Sequence, residues 1–183
     1  MRTAIFQGAF PPSINLKECF ALAQKAGFEG VELSLEDDSP LIAEAWNETT
    51  DAMLAIQRSV GLAQPRVGGL RLDMSDLDIA RIRRLAEEHN LVVPSVSTMQ
   101  HFFYPLSSSN TAVRSRALHI GRRLLEITAQ LGGNAVLIVP GIVLRDAPYH
   151  EVWQRSQDTL AELVPDAERL GVTLAVENVW NRF

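Results

Sequence analysis

Gly171-Val-Thr-Leu-Ala-Val-Glu-Asn-Val-Trp-Asn-Arg-Phe183 is a β-branched, almost wholly apolar run that ends in a carboxylate, two amides and an indole. A continuous apolar run opened by a glycine predicts a strand buried on both faces, as in a parallel sheet covered by helices. Its single acid, Glu177, falls at the C-terminal end of that strand, where α/β proteins place their chemistry. A capping or salt-bridged structural glutamate is the competing reading.

Upstream, the same alternation of strand and helix repeats. Asn134–Gly141 predicts a buried strand that closes in Pro-Gly. Before it, Val113 to Leu131 carries leucines and Ile127 at helical spacing until Gly132-Gly133 stops the helix. After it, Asp146 and Pro148 introduce a helix through Leu163, and Pro165 kinks it or begins a second short segment to Leu170. Leu91–Thr98 predicts a further strand, preceded by a helix that opens at Ser75-Asp-Leu-Asp78 and stops at Asn90. At the N-terminus a short strand from Thr3 breaks at Pro11-Pro12. Asn15 with Glu18 then makes a capping-box start for a helix that ends at Gly27. In Phe28–Leu35, Val31, Leu33 and Leu35 alternate with Glu32 and Ser34, the period of a strand. Glu36 to Met74 carries a weaker signal, with a helix between Thr50 and Val60, and reads as an insertion or irregular excursion within a single domain spanning residues 1–183.

This repetition, without hairpin signals, predicts a parallel sheet with right-handed crossovers. The first strand is not followed by the Gly-x-Gly-x-x-Gly of a dinucleotide-binding open sheet. The pattern therefore favours an incomplete (β/α)8 barrel, about five parallel strands with covering helices, against the eight of a full barrel. With 46% hydrophobic and 21% charged residues, the 183-residue chain has the composition of a globular domain. Its net charge of -5 supplies no footprint for nucleic acid or an anionic membrane. Cys19, the single cysteine, sits at a core position and fits a reducing compartment. No signal peptide or run of about 18 apolar residues is found, and a cytoplasmic location is the expectation.

Four stretches in this order resemble one family. They are Phe28-Glu-Gly-Val-Glu-Leu-Ser-Leu, Ser97-Thr98 with its aromatic loop to Tyr104-Pro-Leu-Ser-Ser, Leu137-Ile-Val-Pro-Gly, and Leu174-Ala-Val-Glu-Asn-Val-Trp-Asn-Arg-Phe. Together they resemble the xylose isomerase-like TIM-barrel superfamily, in its sugar and sugar-phosphate isomerase/epimerase branch. The resemblance implies a divalent manganese or magnesium ion held by a Glu on strand five and by an Asp, a His and a Glu on strands six to eight. Glu177 matches the first ligand, and the same carboxylate would exchange a proton through an enediolate. The other ligands would fall beyond Phe183, so the chain is expected to be an N-terminal portion with little activity, holding no metal tightly by itself.

Asn178, Trp180 and Asn181 are candidates for sugar contacts, with strand capping and rim filling as the structural alternative. His101 lies on the aromatic loop Met99–Asn110 at the functional end of the barrel and is a further candidate to touch substrate, while that loop reads equally as a pocket wall or a hydrophobic plug. His89, His119 and His150 show no ligand spacing. Glu32 reads as structural, facing the barrel or pairing with a Lys or Arg. The expected partner is a small sugar or sugar phosphate. An endonuclease of the same superfamily acting on abasic DNA is disfavoured by the acidic balance. A non-catalytic partial barrel associating as a homo-oligomer through exposed sheet edges is the remaining alternative.

Overall fold

The computed structural model describes residues 3–45, 55, 67–143 and 147–179. Among them run β1 (Ala4–Phe6), α1 (Leu16–Lys25), β2 (Gly30–Glu36), β3 (Leu70–Arg71), α2 (Asp76–Glu88), β4 (Ser95–Thr98), α3 (Thr111–Leu131), β5 (Ala135–Ile138), α4 (Tyr149–Ala161), α5 (Val164–Leu170) and β6 (Thr173–Val176). All pairings are parallel, in the order β1-β2-β4-β5-β6, with β3 paired to the C-terminal end of β2. This is the partial barrel that the strand-helix alternation predicts.

Local chemistry sets the helix ends. Asn15 Oδ1 accepts from the Glu18 N–H at 3.0 Å and Glu18 Oε2 accepts from the Asn15 N–H at 2.9 Å, a complete capping box. Ser75 caps α2, and Asn110 caps α3 by accepting from Ala112 at 2.8 Å. Gly132 ends α3 in the left-handed conformation at φ 83°, where a Cβ is costly. Pro165 sits in the first turn of α5, so the proline starts a new helix and leaves α4 unkinked.

The core lies between the sheet and its helices. Val31, Leu33 and Leu35 of β2, Val96 of β4, and Val136 and Ile138 of β5 are at most 1% exposed. They pack with Phe20 and Ala23 of α1, Ile79 of α2, and Ile120, Leu124 and Ile127 of α3. Arg123 fastens the return from the excursion by donating to the carbonyls of Leu72 and Met74 at 3.2 and 3.0 Å.

Three expectations change. Leu91–Thr98 is a strand only from Ser95, with an isolated bridge from Val92 to Gly30, because Pro94 has no N–H to give to a ladder. The Glu36–Met74 stretch begins as the last residue of β2 and ends around β3. The helix expected between Thr50 and Val60 lies largely outside the described residues. Finally, β6 is not buried on both faces. It pairs only with β5 among the described residues, and Thr173, Ala175 and Val176 are exposed, Val176 at 57%. An apolar β-branched run scores the same in an interior strand and at an edge, so the sequence pattern does not separate them.

Candidate functional site at the mouth of the sheet

Side chains alternate across a strand, so the burial of Val31, Leu33 and Leu35 under the helices sends Glu32, Ser34 and Glu36 to the opposite, lumen face. Register carries this face around the sheet. Leu35 pairs with Thr98 and Leu70, Val96 with Val136, and Ile138 with Val176. One residue further on, Glu36, its partner Arg71, and Glu177 occupy one row on the lumen face, at the C-terminal end of the strands.

Glu177 continues the ladder by donating its backbone N–H to the Ile138 carbonyl at 2.9 Å, while its side chain is exposed. Asn178 follows it, also exposed. Trp180 and Asn181 lie outside the described residues. His101 is elsewhere: it sits in a short 3₁₀ turn, Gln100–Phe102, with no exposed surface. Phe102, Phe103, Tyr104 and Leu106 are buried with it, so the aromatic loop packs as a plug. Burial lowers the His101 pKa from 6.5 to about 4, opposed by a weaker pull from the Ala117 backbone, and neither ring nitrogen meets a hydrogen-bond partner. The structure thus places Glu177 and Asn178 side by side at the mouth and His101 inside the core.

Two arginines stand at this mouth, Arg71 from the stretch read as an excursion and Arg116 from the helix after the aromatic loop. Arg71 is 17% exposed and bridges Glu36 and Asp38, the latter at 3.0 Å. Arg116 of α3 pairs with Asp37 and stands 6.0 Å over the Tyr104 ring. Burial pushes the Asp37 carboxyl up, but hydrogen bonds from Ser39 and Arg116 outweigh it and hold the group below its usual range. The period-two run Glu32, Ser34, Glu36 carried a signal for Glu36. Arg71, on a two-residue strand in a Gly-rich stretch, carried none.

A hard divalent cation would find one suitable donor in Glu177. Among the described residues, however, no group of three or more His, Cys, Asp or Glu side chains could hold a metal ion. Among the described residues Glu177 therefore stands at the mouth as a single exposed carboxylate, able to accept hydrogen bonds. A separate depression runs along α4, walled by Tyr149, His150, Trp153 and Arg155, and Glu177 is not among its walls. No helix of the described chain is long and apolar enough to cross a membrane.

Comparison with known proteins places this geometry. The family model described as xylose isomerase-like TIM barrel matches residues 20–183. The chain is 29% identical over 178 residues to the L-ribulose-5-phosphate 3-epimerase UlaE of Escherichia coli (strain SMS-3-5 / SECEC), covering 94% of this chain and 51% of that protein. The solved structure of an L-ribulose 3-epimerase superposes with a TM-score of 0.67 at 23% identity, over 97% of this chain and 50% of the other. A D-psicose 3-epimerase crystallised in the presence of D-fructose gives a TM-score of 0.65 at 17% identity, over 100% and 55%. The chain spans about half the length of the curated relatives it matches.

Proposed function

Because this chain belongs to the xylose isomerase-like TIM barrel family, we propose that it carries the Glu177 half of a site that epimerises or isomerises a ketose, a ketose phosphate or a related polyol. The observation that supports this is the position of Glu177: an exposed carboxylate closing the β5–β6 ladder, in the lumen row at the C-terminal end of a parallel sheet. The ketose 3-epimerases among its relatives point to the substrate class.

In this reading a carboxylate oxygen of Glu177 takes the proton from the carbon beside the substrate carbonyl. The electron pair of the broken C–H bond moves into the carbonyl and leaves an enediolate. Return of a proton to the other face of that carbon gives the epimer. Asn178 beside Glu177 supplies an amide for a sugar hydroxyl, and Trp180 and Asn181, outside the described residues, are the sequence candidates for further sugar contacts. His101 takes part only where the aromatic loop moves, since its ring is enclosed. A bound manganese or magnesium ion would contribute by holding the substrate oxygens and offsetting the enediolate charge. With the described donor set incomplete, the chain by itself is proposed to bind metal weakly and turn over slowly.

Titrating the isotope-labelled chain with L-ribulose and with L-ribulose 5-phosphate, in the presence of Mg²⁺, tests the reading by NMR. The expected result is a saturable shift of the amides of Val176 to Asn178 that Glu177→Gln abolishes. No sugar-dependent shift at these residues would sink it. Turnover at the rate of an ordinary epimerase would sink the incomplete-site part alone.

A second reading, association through sheet edges, draws on the exposure of β6 and of Phe6 on β1, the latter 40% exposed. Light scattering showing a stable monomer at high concentration would remove it.

A further inference from the structure

Resting on the reading above, we propose that Ser34 and Ser97, with the carboxamide of Gln7, form a neutral floor one row inside Glu177 that holds a terminal hydroxyl of the sugar. Their hydrogen bonding and their placement carry it.

A buried hydroxyl costs free energy unless it is bonded, so one left open marks a place for a partner. The hydroxyls of Thr98, Ser107, Thr128, Ser156 and Thr159 are buried, and each donates to a backbone carbonyl at 2.6 to 3.3 Å. Ser34 and Ser97 break this pattern. They are 9% and 7% exposed, and neither Oγ has a hydrogen-bond partner among the described residues. The two are also partners in register on β2 and β4. The alternation that buries Leu33 and Val96 under the helices turns both hydroxyls to the lumen, side by side.

Gln7 completes the group. It is 2% exposed, and its Oε1 accepts the Ser34 N–H at 3.0 Å, one step past the Phe6–Glu32 pair that ends β1. With the oxygen fixed there, the two N–H groups of Nε2 are left to donate elsewhere. None of these three polar ends is sealed off, because among the described residues the only fully enclosed and unbonded side-chain polar atoms are the ring nitrogens of His101.

The floor lies within reach of Glu177. Its row runs on from Ser97, one step past the Val96–Val136 pair, to Leu137 and its partner Ala175, and Glu177 stands one row nearer the mouth. Strands about 4.8 Å apart, rising about 3.3 Å per residue, put the Cα atoms of Ser97 and Glu177 roughly 12 Å apart. The two side chains close part of that gap and a short sugar chain spans the rest, with Leu137 beneath its C–H groups. Hydroxyls and a carboxamide donate and accept without charge, which suits a sugar hydroxyl that does both.

The test extends the NMR titration to Ser34→Ala, Ser97→Ala and the double variant, with circular dichroism to confirm folding. L-Ribulose is compared with 1-deoxy-L-ribulose and 5-deoxy-L-ribulose, each lacking one terminal hydroxyl. In the native chain the side-chain amide of Gln7 and the backbone amides of Ser34 and Ser97 should shift with L-ribulose. Ser97→Ala should weaken L-ribulose binding about three- to tenfold, the loss of one neutral hydrogen bond. That loss should vanish with the deoxy sugar that lacks the hydroxyl held by the floor, a result a merely structural serine would not give. Native affinity in the double variant, or an equal loss for all three sugars, would overturn the floor. Shifts confined to Val176 to Asn178 would also overturn it and leave the role of Glu177 standing. Shifts at the floor alone would sink the Glu177 reading and keep the floor, and no shift at either place would remove both. Should the double variant fail to fold, equal affinity of the native chain for the three sugars still overturns the proposal.

Discussion

Ser95 Oγ donates a 2.6 Å hydrogen bond to Glu32 Oε2, tying β4 to β2 on the lumen face one step before the Leu33–Val96 pair. Of the two sequence readings of Glu32, facing the barrel or pairing with a Lys or Arg, the structure has the first, with a hydroxyl as the bond partner. A half-buried bond to a charged acceptor is worth about 1 kcal/mol after discounting for solvent. Ser95→Ala should lower stability by about that much in urea unfolding, with sugar binding unchanged. Lost binding at undiminished stability would move Glu32 into the site.

Glu177 projects from an edge strand into solvent. Replacing an exposed side chain away from caps and packing changes stability by no more than about 0.5 kcal/mol. Glu177→Gln should therefore melt with the native chain while its sugar-dependent NMR shifts disappear. A large drop in melting temperature would mark the residue as structural.

His101 supplies the pH dependence. Its folded pKa is about 4 against an ordinary 6.5, so the unfolded chain takes up a proton at higher pH than the folded one. Stability is then intact above about pH 6.5, falls as pH drops towards 4, and changes no further below that from this group. The full penalty is about 3 kcal/mol. Urea midpoints between pH 7 and pH 4 should show this slope in the native chain and a flatter profile in His101→Leu.

Gly133 faces backbone: a Cβ there would stand 2.8 Å from the Val93 carbonyl and 3.1 Å from that of Pro94. Neither oxygen sits on a side chain that can swing away. Gly133→Ala should destabilise by about 2 kcal/mol, read as a lower urea midpoint at unchanged slope. Gly27→Ala separates this clash from backbone strain, since φ is +85° there and nothing lies within 4 Å of the added carbon.

Most of the frame was legible because each element carried its own local signal. Asn15 with Glu18, Ser75 and Gly132 announce helix ends by hydrogen-bonding chemistry that acts within a few residues, whereas the Asn110 cap, which starts its helix at Thr111, was read as loop. The alternation around Leu33 announces a strand by its period. What was hidden depends on long-range placement. Val176 is as apolar as Ile138, yet one stands at an edge and the other is enclosed. His101 reads as polar on a loop, and only the packing of Phe102, Tyr104 and α3 makes it a core residue. Arg71 joins the mouth through a two-residue pairing that no local pattern encodes. Of the expected site, Glu177 and Asn178 were visible from their strand end, and the Glu36–Arg71 ion pair in the same register row was not.

The Glu32–Ser95 bond spans 63 residues of chain. Closing so long a loop costs conformational entropy before any sheet contact compensates for it. The seam between β2 and β4 is the pairing of longest sequence separation among the described strands. Glu36 and Glu177 lie on opposite sides of it, so the lumen row depends on a contact that neither flanking stretch of chain can form alone.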